Sequence, residues 1–366
     1  MTKSIKIKQQ ETFSGKSMVF NALMVVLNLT GLTFLVIGYH DNFEGEGTLY
    51  KSVGYILMLI SIAGLMLLRG RLMMSSVARV LVGGLFIVSG LVKANDPMGF
   101  AYKLKEYFED GALAFRIKEW FSAPGFSMEY LIDYALVLSV IICIAEIVLG
   151  VLLIIGGKIK MVSYLMLLMM LFFTFLTWHT ANCDAEMKFK DRDTYAMSDP
   201  AAQFKIDEAK TNKAVKIVSQ TKSELIVDEM KTPQCVSDCG CFGDAMKGSV
   251  GRSLSPKESL WKDIILLYLV LWIFVSQWII KPNTRESNII FVSSSLVIIG
   301  FFSWVFGWYF PILFGLVVIL GALWMLRVGG KLLGNYYGSS FFVKLVCGIM
   351  VTYVLMYLPL KDYRPY

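Results

Sequence analysis

The stretch DYALVLSVIICIAEIVLGVLLII, residues 133–155, carries a single charged side chain after its opening Asp133, namely Glu146. At about 1.5 Å of rise per residue, such a helix covers the roughly 30 Å hydrocarbon core of a bilayer. The stretch therefore reads as a transmembrane helix with a carboxylate inside it, and a charge at that depth needs a partner or a proton. Cys143 precedes Glu146 by three residues and Gly150 follows it by four, so all three share one helix face. At Gly150 a neighbouring helix backbone can come close.

Composition extends this reading to the whole chain. Of 366 residues, 56% are hydrophobic and 17% charged, and the mean hydropathy is +0.61, which leaves too little polar surface to cover a soluble globule. Apolar runs at 17–38, 53–68, 77–92, 133–155, 161–178, 260–280, 289–306, 309–326 and 341–359 predict nine membrane spans. The second and third are short, and Pro311 stands near the entry of the eighth, where a helix tolerates it. No alternating ten-residue strand pattern suggests an outer-membrane barrel. The first run is longer than a signal-peptide core and no A-x-A-like site follows it, so it is expected to stay attached.

Lysine and arginine in short loops orient the chain. Lys3, Lys6, Lys8, Lys16, Arg69, Arg71, Lys158, Lys160, Lys281, Arg285, Arg327 and Lys331 all fall on one side of nine spans. That side is expected to be cytoplasmic, with the N-terminus, in a bacterial inner membrane. The segments 94–132 and 179–259 then face outward. The net charge of +7 comes largely from the inward residues, so a nucleic-acid partner is not implied; the lipid bilayer is.

In 94–132, Phe100, Leu104, Tyr107 and Phe108, and again Leu113, Ile117, Trp120 and Phe121, recur at helical spacing. Two helices lying in the interface plane are expected, or simply a lid on the bundle. The segment 179–259 is rich in mixed charge. It is expected to be a solvated excursion with a helix over about 202–219 and no sizeable core of its own, returning Cys183 toward Cys235.

That excursion ends in QCVSDCGCFGD, residues 234–244, which gathers Cys235, Cys239 and Cys241. Outside the cytoplasm such thiols form disulfides more readily than metal sites. One reading is redox: Cys239 and Cys241 exchange electrons with an exported protein, Cys183 or Cys235 resolves the mixed disulfide, and Glu146 handles a proton. The other is structural, with Cys183 stapled to one of the three. Four cysteines allow three complete pairings, and spacing does not choose among them. A zinc site using His179 lacks the usual C-x-x-C knuckles, so no metal is expected.

For Glu146 two roles stand side by side. One is a hydrogen bond to a quinone carbonyl or a proton carrier, with Cys143 and Ser89 beside it as a cofactor site. The other is a structural hydrogen bond to backbone or to Ser89. Lys93 is expected to pair with Asp96 or Asp244. No Walker, dinucleotide or G-x-S-x-G pattern is present, and no internal repeat suggests a transporter.

The runs ARVLVGGLFIVSGLVKANDPMGFAYKLKEYF (78–108), CIAEIVLG (143–150), DCGCFGDA (238–245) and WKDIILL (261–267) resemble the bacterial DoxX-like and MauE-like membrane proteins. The resemblance implies a four-helix membrane core over 77–280, flanked by a two-helix extension (1–76) and a three-helix extension (281–366). The expected fold is thus an all-α polytopic bundle with an extracytoplasmic, periplasmic insert. For function it implies quinone-linked or thiol redox chemistry, or maturation of a periplasmic redox protein as in methylamine utilisation. Its partners would be such a protein or a membrane oxidoreductase complex. The alternative is a non-catalytic assembly scaffold with structural disulfides.

Overall fold

The computed structural model describes residues 15–39, 47–66, 68–123, 125–156, 158–236, 254–281, 283, 285–307, 309 and 311–316. Seven of its helices are long and apolar enough to cross a membrane, as expected of a multi-pass membrane protein. They are α1 (Gly15–Tyr39), α2 (Gly47–Leu65), α3 (Leu68–Asn95), α6 (Ala135–Ile155), α7 (Ile159–Ala181), α9 (Pro256–Ser276) and α10 (Arg285–Val305). They coincide with the first seven expected spans. The second and third are full crossings of 19 and 26 residues. The eighth starts as a helix over 311–316; its remainder, the ninth and Cys347 lie outside the described residues.

Helix α3 is the axis of the bundle, packing against α6, α9 and α10. Its closest neighbour is α6, because glycines replace side chains where the two cross. A Cβ on Gly150 would stand 2.8 Å from the Gly83 carbonyl oxygen, and one on Gly90 would stand 3.0 Å from Cβ of Glu146. Any larger residue there pushes the helices apart. Opposite, α7 and α9 run antiparallel, with Ser163 Oγ donating to Gln277 Oε1 at 2.9 Å. The N-terminal hairpin joins this core through a buried polar chain: Asn28 donates to Ser61 Oγ at 2.9 Å and accepts from the Tyr268 hydroxyl at 2.8 Å.

At one end, where the basic loops gather, Arg79 Nε donates to the Leu153 carbonyl (3.0 Å) and its Nη2 to Asn283 Oδ1 (2.8 Å). Asn283 in turn donates to the Ile154 carbonyl at 3.0 Å. These side chains satisfy the last carbonyls of α6, which ends at Gly156 with φ of 76°.

The other end carries a platform. Asp96 caps α4 (Pro97–Phe108), accepting from Gly99 N at 2.9 Å, and Pro97 starts the helix. Phe100, Leu104, Tyr107 and Phe108 are buried in the main core. Helix α4 therefore packs onto the bundle, as the lid among the two expected arrangements would. A π-turn (Asp110–Ala114) leads into α5 (Phe115–Phe121).

Above α5 the expectation of an all-α chain fails. Strands β1 (Phe189–Ala196), β2 (Val215–Gln220) and β3 (Glu224–Lys231) form an antiparallel sheet ordered β1-β3-β2, with α8 (Pro200–Thr211) between β1 and β2. The expected helix over 202–219 stops at Thr211, and its second half is β2. Val215, Leu225 and Val227 on one sheet face bury Ala202 of α8. The excursion thus has a small core, and cross-strand pairs and salt bridges hold what apolar area alone does not.

Leu225 is fully buried in that core of four residues, and Leu225→Ala is expected to cost about 2–5 kcal/mol. Limited proteolysis of the protein in membranes checks this. Cleavage should become faster within residues 189–231 and stay unchanged in the α1–α2 hairpin.

Candidate functional site

The close α3–α6 crossing brings Lys93 and Glu146 together. Lys93 Nζ donates to Glu146 Oε1 at 2.6 Å, and the two side chains are 2% and 3% exposed. The ammonium also donates to Ser89 Oγ at 2.8 Å. It lies 5.4 Å from the Phe100 ring of α4 and 4.8 Å from the Phe173 ring of α7. Four helices therefore meet at one ion pair. The expectation paired Lys93 with Asp96 or Asp244 and did not include Glu146; Asp96 caps α4, and Asp244 lies outside the described residues.

Cys143, fully buried and not in a disulfide, stands one turn from Glu146 on the same face. Glu146 Oε2 is buried without a hydrogen-bond partner. The sequence pointed to Glu146 and Ser89; it missed Lys93 as their partner. The signal was present: a lysine followed by Asn95, Asp96 and Pro97 ends a helix, and its side chain can reach back into the bundle.

The site offers both kinds of hydrogen-bonding group: lone pairs on the Glu146 carboxylate, and N–H and O–H donors on Lys93 and Ser89. The pair is enclosed by two aromatic rings and a glycine contact. The arrangement suits charge and proton handling.

Of the cysteines that flank the excursion, Cys183 and Cys235 are joined in a disulfide with a Cα separation of 5.6 Å. Bonded to each other, they staple the start of the excursion to its end, and neither is free to resolve a mixed disulfide. Cys239 and Cys241 lie outside the described residues. Next to the staple, Gln234 N donates to the Gly111 carbonyl at 2.7 Å, and Val236 is buried in the main core.

A charged seam holds the sheet on the platform. Lys118 of α5 is bonded to Asp191, which is fully buried; Lys231 reaches Asp191 at 2.9 Å and Asp193 at 3.1 Å. Asp110, Asp191 and Asp193 bring their oxygens within 4.8 Å of one another, and the two ammonium groups balance them. Burial pushes the Asp191 carboxyl up, but bonds to Lys118 and Lys231 outweigh it, and the net shift is downward. Burial lowers Lys231, while Asp191 and Asp193 raise it further, above the ordinary lysine value. On the opposite sheet face, the hydrogen bond from Arg192, with help from Lys190, pulls Asp228 down to about 2. An open cleft of about 740 Å³ beside the seam is lined by Glu109, Asp110, Glu129, Glu229 and Lys231, among others.

Where α7 leaves the bundle, His179 is fully buried and neither ring nitrogen has a hydrogen-bond partner. It packs against the rings of Tyr107 (6.5 Å) and Phe115 (5.5 Å). Next to it, the Tyr107 hydroxyl and Thr180 Oγ1 are 2.6 Å apart.

Residues 71–182 match the family of the methylamine utilisation protein MauE. The matched segment runs from α3 to the end of α7. It contains Lys93, Cys143, Glu146 and His179 and stops just before Cys183. The sheet, the disulfide and the helices on either side fall outside it. No curated protein and no solved structure matches the chain.

Removing one partner of a buried ion pair strands the other, at a cost of about 3–5 kcal/mol. Glu146→Ala is therefore expected to lower the thermal midpoint of the protein in detergent markedly, and Lys93→Met combined with Glu146→Leu to recover most of it. Equal loss in the single and double variants would contradict the pairing. For Asp228, the folded value near 2 lies below its ordinary 3.8. Its contribution is full above 3.8 and disappears as pH falls toward 2. Protease resistance of the sheet should fall over that window in wild type and less so in Asp228→Asn.

Proposed function

We propose that this protein is an integral-membrane accessory factor that performs thiol–disulfide exchange on an exported protein. The Cys183–Cys235 bond carries this reading. It removes two of the four extracytoplasmic cysteines from the choice and leaves Cys239 and Cys241, tethered four and six residues beyond the staple, as the exchanging pair. The segment similar to MauE and the sequence likeness to DoxX-like proteins, which the resemblance associates with redox complexes, support the same direction.

The exchange needs no cofactor. A thiolate of the exported protein attacks one sulfur of a Cys239–Cys241 disulfide, and the other sulfur leaves as thiolate. The second client thiol then resolves the mixed disulfide. The client gains one disulfide and the pair gains two thiols, so electrons and protons balance. The platform lies at the end opposite the basic loops, which supports a periplasmic side for it in a bacterial inner membrane. Glu146 and Lys93 lie beneath it as a proton-handling centre.

A second reading, a scaffold with no exchange activity, is favoured by the rigid attachment of the sheet through Lys118, Asp191 and Lys231. Cys241→Ser and Cys239→Ser separate the two. One of these variants is expected to accumulate a mixed disulfide with a client, seen on a non-reducing gel and released by dithiothreitol. If neither traps an adduct and both only lower abundance, the scaffold reading replaces exchange.

A further inference from the structure

We infer that the Lys93–Glu146 pair exchanges protons with the platform-side aqueous phase through internal water, and that His179 is the polar entrance of that path. The inference rests on reading the pair as a proton-handling centre and is independent of the cysteine chemistry.

Three observations carry it. First, buried polar atoms are almost always hydrogen-bonded, and water supplies the partner where protein does not. At 0% and 2% exposure, His179 and Glu146 together hold three unpartnered atoms, both imidazole nitrogens and Oε2. An imidazole needs a partner at each nitrogen, and in its neutral form donates from one and accepts at the other.

Second, the same two helices connect the two groups. Lys93 Nζ faces Phe100 of α4 and Phe173 of α7. His179 lies six residues farther along α7, about 9 Å of helix rise, beside Tyr107, which is seven residues farther along α4.

Third, the seam is not wholly apolar. Thr177 puts a buried hydroxyl between Phe173 and His179 on α7, and Thr180 and Tyr107 add two more at the His179 end. Each Thr hydroxyl donates to a backbone carbonyl of its own helix, which leaves acceptor capacity for water. A proton entering from outside is taken up at one imidazole nitrogen while the other releases one inward through water to Glu146 Oε2; no electron moves. Among the described residues, the charged and titratable groups facing His179 are Arg116 of α5 and Tyr107 of α4.

Cys143 gives a direct test, because it stands one turn from Glu146 and its S–H stretch is resolved in the infrared. In the full chain carrying Cys239→Ser, Cys241→Ser and Cys347→Ser, Cys143 is the one thiol outside the Cys183–Cys235 bond. Transfer to D₂O is expected to convert S–H to S–D quickly. In His179→Leu the conversion should be slower by about tenfold or more, limited by local opening. His179→Gln, which keeps polar atoms in place, should recover much of the rate.

Absence of exchange in the parent protein, or an equal rate in His179→Leu, overturns the inference. Should His179→Leu fail to fold, ¹⁵N-histidine labelling decides: the sequence holds two histidines, and His40→Ala assigns the signal of His179. Proton exchange between that imidazole and water supports the path, and a dry imidazole refutes it. None of these outcomes depends on whether Cys239 and Cys241 trap a client.

Discussion

The architecture depends on a lysine and a glutamate kept from water. Desolvating two charges costs several kcal/mol per ion, and only a close partner with further hydrogen bonds offsets it. Lys93 and Glu146 meet that requirement at 2.6 Å, and to do so α3 and α6 must pack almost backbone to backbone. Gly83, Gly90 and Gly150 permit the approach. Sliding one helix along the other by a turn would separate the charges and set side chains against carbonyls. The ion pair thus fixes register as well as neutrality, and Phe100 and Phe173 bring α4 and α7 to the same point.

Around this point the molecule divides its polar chemistry by depth. Inside the bundle, the enclosed ionisable groups among the described residues include Arg79 on the last carbonyls of α6, Glu146 with Lys93, Asp263 of α9, and His179 at the exit of α7. On the platform, charges come in dense alternating sets, as in the seam of Lys118, Asp191, Asp193 and Lys231. The sheet is too small to stand on apolar burial alone, and it leans on this seam and on a covalent closure of its ends.

What the sequence made legible follows from the same division. Membrane spans announce themselves because lipid tolerates one solution to backbone hydrogen bonding, and the first seven expected helices are where they were expected. Glu146 stood out for the cost of its depth. Gly150 stood out for the space it leaves, which the Gly83 carbonyl occupies. The excursion after Cys183 was misread because its strands are short and heavily charged. Runs such as FKDRDTYA and ELIVDEMK hide their inward faces behind salt-bridged residues, so alternation is weak. The pairing of Lys93 with Glu146 was missed because proximity in sequence to Asp96 outweighed the reach of a long side chain back into its own bundle. The choice among cysteine pairings depended on where the sheet places its ends, which spacing does not encode.

The contact between Arg79 and Asn283 joins residues 204 positions apart, and this has a bearing on biogenesis. At 5–20 residues per second, on the order of ten to forty seconds of translation separate the two side chains. Through that interval the guanidinium waits without its amide, and the terminus of α6, once made, lacks the capping that Asn283 provides. Helices α3 and α6 are therefore synthesised well before the residue that secures their shared end, and the nascent chain carries a provisional arginine until the loop after α9 emerges.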